Sequence, residues 1–260
     1  MSVGGVAQSL VAKYAERIRR ENVLVHSYGV ELEGGIPDPS IDELERWCRE
    51  RGVASRFEVG SDGSVHVGRP WWYSGGYWVD DVEIRFWSEV DRIELLLEFI
   101  ALAYKLGLTQ NETCGNHVHV RLRDDHVMSL LFSESFVKYF QRAYALYAKR
   151  RREKYGDKYL ARMENSYCSF YRRPEFPEAL WAYQQTRYRA VNFQAIDKHG
   201  TIEFRIFPHC KGAEEYFENI AWLNRVINRY VDRRLKRGVV VYVAVRLPKI
   251  EEEVVEEVEV

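Results

Sequence analysis

Gly29-Val30-Glu31-Leu32-Glu33 alternates apolar and ionisable residues, the period of a strand whose side chains point to opposite faces. Three further stretches repeat the pattern: Asp81-Val82-Glu83-Ile84-Arg85, His117-Val118-His119-Val120-Arg121 and Thr201-Ile202-Glu203-Phe204-Arg205-Ile206. Each offers one face to a core and one charged face elsewhere. Burying so many charges is costly unless they meet a metal, a ligand or one another. Carboxylates, imidazoles and guanidiniums on one sheet face suit divalent cations and anionic phosphate, which points to an enzyme.

Around these strands the periodicity predicts helices near 5–20 (Val6, Leu10, Val11, Tyr14, Ile18), 132–153 and 213–236. Ser40 and Glu43 form a capping-box pattern for a helix near 41–51, which Gly52 ends. A helix capped by Ser88 runs to Gly107. Strands are expected at about 23–33, closed by a Gly-Gly-Ile-Pro-Asp-Pro turn, and at 79–87, 117–122, 188–195 and 201–207. Phe57–Gly60 and Ser64–Gly68 read as a hairpin about Asp62-Gly63, Trp71–Trp78 as an aromatic loop, and Asp197-Lys198-His199-Gly200 as a turn. A valine-rich strand is expected near 239–246. The expected class is α+β: a curved antiparallel sheet with helices packed on one face and an active-site cleft on the other. Residues 1–248 form one domain, with 149–180 a basic, tyrosine-rich insertion or lid and 249–260 an acidic tail.

The 260 residues are 46% hydrophobic, enough for a sizeable core, and the net charge of −1 argues against a general polyanion binder. No apolar run reaches membrane-spanning length and no secretion-signal core is seen, so a cytoplasmic protein is expected. Cys48, Cys114, Cys168 and Cys210 form no Cys-x-x-Cys pair and read as reduced packing residues. The 30% of charged residues fits a thermophilic source.

Glu31 and Glu33 share a strand face with Gly29, which leaves room for a ligand; the bland alternative is an exposed strand edge. Paired carboxylates of this kind suit magnesium or manganese. Asp62, in Asp62-Gly63-Ser64, and Glu83 could join Glu33 at one cation. Asp81 and Arg85 are either ligands or a cross-strand charge pair. His117 and His119 could serve a metal and an anionic ligand, or form a hydrogen-bonded half-buried pair. Arg187, Arg189 and Arg205 could match phosphate oxygens in pairs, or belong to a salt-bridge ladder with Glu203.

In order and wording, these segments resemble the amidoligase family, within the glutamine synthetase-like and glutamate–cysteine ligase-like superfamily. The stretches that carry the resemblance are residues 29–33, 62–64, 83–84, Cys114-Gly115-Asn116-His117-Val118-His119-Val120, 187–192 and Gly200-Thr201-Ile202-Glu203-Phe204-Arg205-Ile206-Phe207. The resemblance implies a glutamine synthetase-like catalytic domain, ATP, and two or more Mg2+ or Mn2+ ions. It implies that ATP phosphorylates a carboxylate and an amine then displaces phosphate to give an amide. Glu31, His117 and Glu203 would bind the cation on the ATP phosphates, and Glu33 and Glu83, with Asp62, the substrate-side cation. His119 would lie near the nucleotide, and Arg205 with Arg187 or Arg189 would contact the γ-phosphate and the acyl phosphate. The carboxylate and amine partners would be a peptide, a protein side chain or an amino acid, and an oligomer is compatible.

Two other readings remain. One is a His/carboxylate metalloenzyme of another class, using iron or zinc. The other is a nucleic-acid- or protein-binding protein on a degenerate ligase fold, gripping its partner through the Arg/Lys/Tyr run at 149–173.

Overall fold

The computed structural model describes residues 5–61, 63–67, 79–170 and 187–236. The expectations for Asp62, the Trp71–Trp78 loop, the 239–246 strand and the acidic tail lie outside them.

Helix α1 (Gly5–Glu21) leads into the long strand β1 (Val25–Pro37) and helix α2 (Asp38–Glu50). Strands β2 (Phe57–Gly60) and β3 (Val79–Glu89) precede helix α3 (Ile93–Lys105) and strand β4 (Gly115–Leu122). Helices α4 (Asp125–Leu131), α5 (Glu134–Tyr155) and α6 (Lys158–Arg162) follow. Strand β5 (Val191–Asn192), helix α7 (Ala195–His199), strand β6 (Ile202–Pro208) and helix α8 (Ala213–Lys236) complete the described chain. The strands form one antiparallel sheet in the order β2-β3-β1-β4-β6-β5. The α+β class with an antiparallel sheet is therefore observed.

Alternation separates the two faces. Tyr28, Val30, Leu32, Ile84, Phe86, Val118, Val120, Ile202 and Phe204 are buried on the core side, where α1, α3 and α8 pack against one another. Phe136 and Phe140 of α5 lie against Phe204, and Tyr144 donates a hydrogen bond to Ile206 O at 2.9 Å. The opposite face carries the ionisable residues. Close packing of aliphatic and aromatic side chains beneath the sheet, such as Phe86 on Phe99 and Phe204 on Phe140, holds that charged face in place.

Several local expectations are corrected. Strand β1 does not turn at Gly34 but continues to Pro37, because Gly34 and Gly35 pair with Val82 and Asp81. Gly35 and Thr109 exchange backbone hydrogen bonds, each 2.9 Å. Ser40 does not cap α2; it donates to Leu106 O at 2.8 Å, and the helix starts earlier, at Asp38 behind Pro37. Ser88 likewise donates to Arg92 O, and a 3₁₀ turn at Val90–Arg92 intervenes before α3. β2 pairs with β3 and not with residues 64–67, so the short hairpin is absent there. Residues 195–199, expected as strand end and turn, form α7, which Gly200 ends at φ 64°.

At Gly34 a Cβ would lie 2.6 Å from Thr109 O and 2.8 Å from Leu108 Cδ1. Backbone cannot retreat as a flexible side chain can, so Gly34→Ala is expected to cost about 1–3 kcal/mol. Urea unfolding checks this: the midpoint should fall with an unchanged slope, and an unchanged midpoint would refute the tight approach.

Candidate active site

The register brings the four sequence stretches together. On β1, Glu31 faces Arg85 of β3 and His117 of β4, Glu33 faces Glu83, and Gly29 lies between Trp87 and His119. A bulge sets two β6 residues, Arg205 and Ile206, opposite the single residue His117, and leaves His119 opposite Glu203. Bulges of this kind re-aim side chains. This one places Glu203 and Arg205 on the same imidazole.

Glu31, His117 and Glu203 offer ligand atoms that all lie within 4.8 Å of one another. His117 Nδ1 is 2.7 Å from Glu31 and 3.2 Å from Glu203, while its Nε2 is 3.2 Å from Glu33. The ring is 1% exposed and Glu203 4%. Buried acids at this density need compensating charge. Arg205 supplies part of it, donating to Glu203 at 2.6 Å. Asn192 of β5 donates to the other Glu203 oxygen at 2.6 Å. On the far side, Arg85 pairs with Glu83 and reaches Glu31 at 3.6 Å. Glu33 accepts from the Gly115 backbone N–H.

His119 is held at both nitrogens, by Thr201 Oγ1 at 2.9 Å and by Glu31 at 3.1 Å. It braces Glu31, and the ligand atoms that converge are those of two carboxylates and one imidazole, Glu31, Glu203 and His117. That differs from the two-histidine, one-carboxylate arrangement of an iron site.

Two carboxylates and one imidazole can hold a divalent cation: the oxygens suit Mg2+ or Mn2+, and the imidazole equally admits zinc or iron. A second cation seat at Glu33 and Glu83 is less assembled: among the described residues, Glu33 is committed to Gly115 and His117, and Glu83 to Arg85. Asp81 accepts from the Val67 N–H at 3.2 Å. Arg187 is exposed and lies over the Tyr188 ring, and Arg189 donates to Ser169. The described part of the basic segment is drawn into structure: Arg151 pairs with Glu218, Lys158 with Glu215 at 2.8 Å, Lys154 with Glu218 at 3.2 Å, and Arg152 with Asp157 at 2.6 Å. Those pairings leave less charge for a nucleic-acid backbone.

Two residues were not singled out by sequence. Asn192 lay in the Arg-Tyr-Arg-Ala-Val-Asn stretch, where only the arginines drew attention. Arg162 of α6 is 8% exposed, and nothing in its basic surroundings distinguished it. A Cβ at Gly115 would meet Arg162 Nη2 first, then His117 Nε2 at 3.0 Å and Glu33 at 3.2 Å. The absence of a side chain at Gly115 thus lets the guanidinium into the cluster.

Burial would raise the Glu31 carboxyl, but hydrogen bonds from His117 and His119 outweigh it and hold the group far below its ordinary 4.5. Glu203 is pushed up by burial and lowered overall by His117, Arg205 and His119. Burial lowers His119, while Glu31 more than restores its proton affinity, above the ordinary 6.5. Glu83 is raised by burial and by Glu31, with Arg85 opposing.

The two depressed carboxylates contribute stability present above pH 4.5 and lost as pH falls through their folded values; raised Glu83 offsets part of that gain. Raised His119 contributes stability present below pH 6.5 and lost as pH rises through its folded value. The metal-free protein should therefore be most stable between these values. Mn2+ should raise the melting temperature more above that window than inside it, because the cation restores the positive charge the cluster loses. Melting curves across pH with and without Mn2+ check this; equal shifts at every pH would contradict it.

Residues 122–227 match the family model described as "Putative amidoligase enzyme". The match supports an amidoligase assignment for this segment. It covers somewhat under half of the chain and includes β5, β6, Arg162, Asn192, Glu203 and Arg205. Glu31, His117 and His119 lie N-terminal to it, and the sheet register joins them to the matched segment. No curated protein and no solved structure matches the chain. No helix among the described residues is long and apolar enough to cross a membrane.

Proposed function

We propose that this chain is an ATP-dependent carboxylate–amine ligase on a glutamine synthetase-like catalytic domain, working through an acyl phosphate. The observation that carries the reading is the Glu31–His117–Glu203 group beside Arg205, built partly from the amidoligase segment.

In this reading Glu31, His117 and Glu203 would hold a Mg2+ or Mn2+ ion that serves ATP. A second ion would take Glu33 and Glu83, with Asp62, and would have to displace Arg85 from Glu83. The cations supply charge neutralisation on the phosphoryl oxygens when bound. Arg205 keeps Glu203 ionised and aimed, and its remaining donors stabilise charge on the transferred group. His119, fixed by Thr201, orients Glu31 near the nucleotide. Arg187 and Arg189 are the further candidates for the acyl-phosphate oxygens.

A substrate carboxylate oxygen attacks the γ-phosphorus and the bond to the ADP oxygen breaks. The amine nitrogen then attacks the acyl carbon, inorganic phosphate leaves, and the amine loses a proton. The buried, charge-lined sheet face favours this sequence by limiting water at the acyl carbon.

Hydroxylamine trapping tests the reading. Protein, ATP, Mn2+ and a panel of amino-acid and peptide carboxylates should give an acyl hydroxamate with matching ADP release for some member. ADP released without hydroxamate from any carboxylate would mean hydrolysis and overturn the ligase assignment.

A further inference from the structure

Arg162 sits on the five-residue helix α6, whose place is fixed from behind. Lys158 pairs with Glu215 of α8, and the Tyr159 hydroxyl lies 2.9 Å from acceptor oxygens of both Glu215 and Asn219, its one proton shared between them. This rigid support turns Arg162 toward the charged sheet face. Arg151, on α5, also has an Nε without an acceptor but pairs with a carboxylate, Glu218, so what sets Arg162 apart is the lack of such a pair. Among the described residues Arg162 makes no ion pair. Its Nη2 donates to Arg205 O at 3.3 Å, and its Nε is buried without an acceptor.

Arg205 is similarly underused. One Nη binds Glu203 and approaches His117 Nδ1 at 3.4 Å, while its Nε is buried without an acceptor. The two guanidiniums stand at opposite nitrogens of the same imidazole, Arg205 by Nδ1 and Arg162, over Gly115, by Nε2. The Arg162 guanidinium donates to the Arg205 carbonyl, which sets the two residues side by side. The neighbouring acids offset part of each charge, while the open Nε donors remain for the oxygens of a bound anion.

We infer that Arg162 and Arg205 together form a guanidinium seat for a substrate oxyanion, either the transferred phosphoryl group or the carboxylate that receives it. The seat lies on the Gly115 floor, next to the Glu31–His117–Glu203 group. The inference deepens the ligase reading and rests on it for the identity of the anion, though the seat itself is open to direct test. Forked donors engage two oxygens at once, which lysine cannot imitate.

The test titrates inorganic phosphate and acetate, separately, into Mn2+-loaded full-length protein, comparing wild type with Arg162→Met and Arg162→Lys. The seat predicts that Arg162→Met weakens one of the two anions by roughly tenfold or more with the fold retained. Loss of phosphate identifies the phosphoryl group, and loss of acetate the carboxylate. If Arg162→Met also melts lower, Arg162→Lys decides: restored melting with anion affinity still weak supports the seat, and restoration of both overturns it. No binding of either anion by wild type, or unchanged binding by Arg162→Met, also overturns it. Anion binding that survives while wild type fails to bind Mg·ATP would overturn the ligase reading and leave the seat standing.

Discussion

Glu31→Gln is expected to lower Mn2+ affinity by more than about 100-fold and to abolish measurable ADP formation. Glutamine keeps the shape of the side chain, so the sheet face should remain packed. What changes is charge and polarity at a carboxylate that hydrogen-bonds both histidines. His117 and His119 each bond one Glu31 oxygen. An amide would present an N–H₂ group to one of those nitrogens and leave the cation with only Glu203 as a charged ligand. Calorimetric titration of Mn2+ checks the affinity, with circular dichroism confirming the fold. Binding within a few-fold of wild type would remove Glu31 from the cation group.

Arg205→Lys carries the second large effect, a fall in ADP formation of about 10³-fold with metal affinity little altered. Lysine retains a positive charge near Glu203, which matters because an unpaired buried carboxylate would destabilise the protein by roughly 3–5 kcal/mol. It loses the planar fork. The expected signature is a lowered kcat, since charge on the transferred group builds up in the transition state more than in the ground state. Single-turnover ADP formation checks this. A raised KM at unchanged kcat would make Arg205 a ground-state binding residue instead.

Much of this site was legible in the sequence because strands write their faces into a two-residue period. Glu31, Glu33, Glu83, His117, Glu203 and Arg205 could each be placed on one face before their neighbours were known, and the resemblance named the family that the 122–227 match supports. The register supplied what the period could not: which residues sit opposite one another, and the β6 bulge that gives His117 two β6 neighbours. Local punctuation was less reliable where tertiary bonds outbid local ones. Ser40 and Ser88 look like helix caps, yet each donates to a backbone carbonyl further on. Gly34-Gly35 looks like a turn, but β3 and Thr109 offer it strand partners. Arg162 was illegible for another reason. In a run of lysines and arginines only burial separates one from the rest, and burial depends on α8 anchoring α6 and on the missing side chain at Gly115.

The central claim is that this sheet face binds a nucleotide triphosphate through a divalent cation. Calorimetry of ATP binding to wild type with and without Mg2+, repeated on Glu31→Gln, tests it most directly. The account predicts binding that requires Mg2+ and disappears in the variant. ATP binding that is absent with Mg2+, or that is indifferent to both the metal and Glu31, would contradict it.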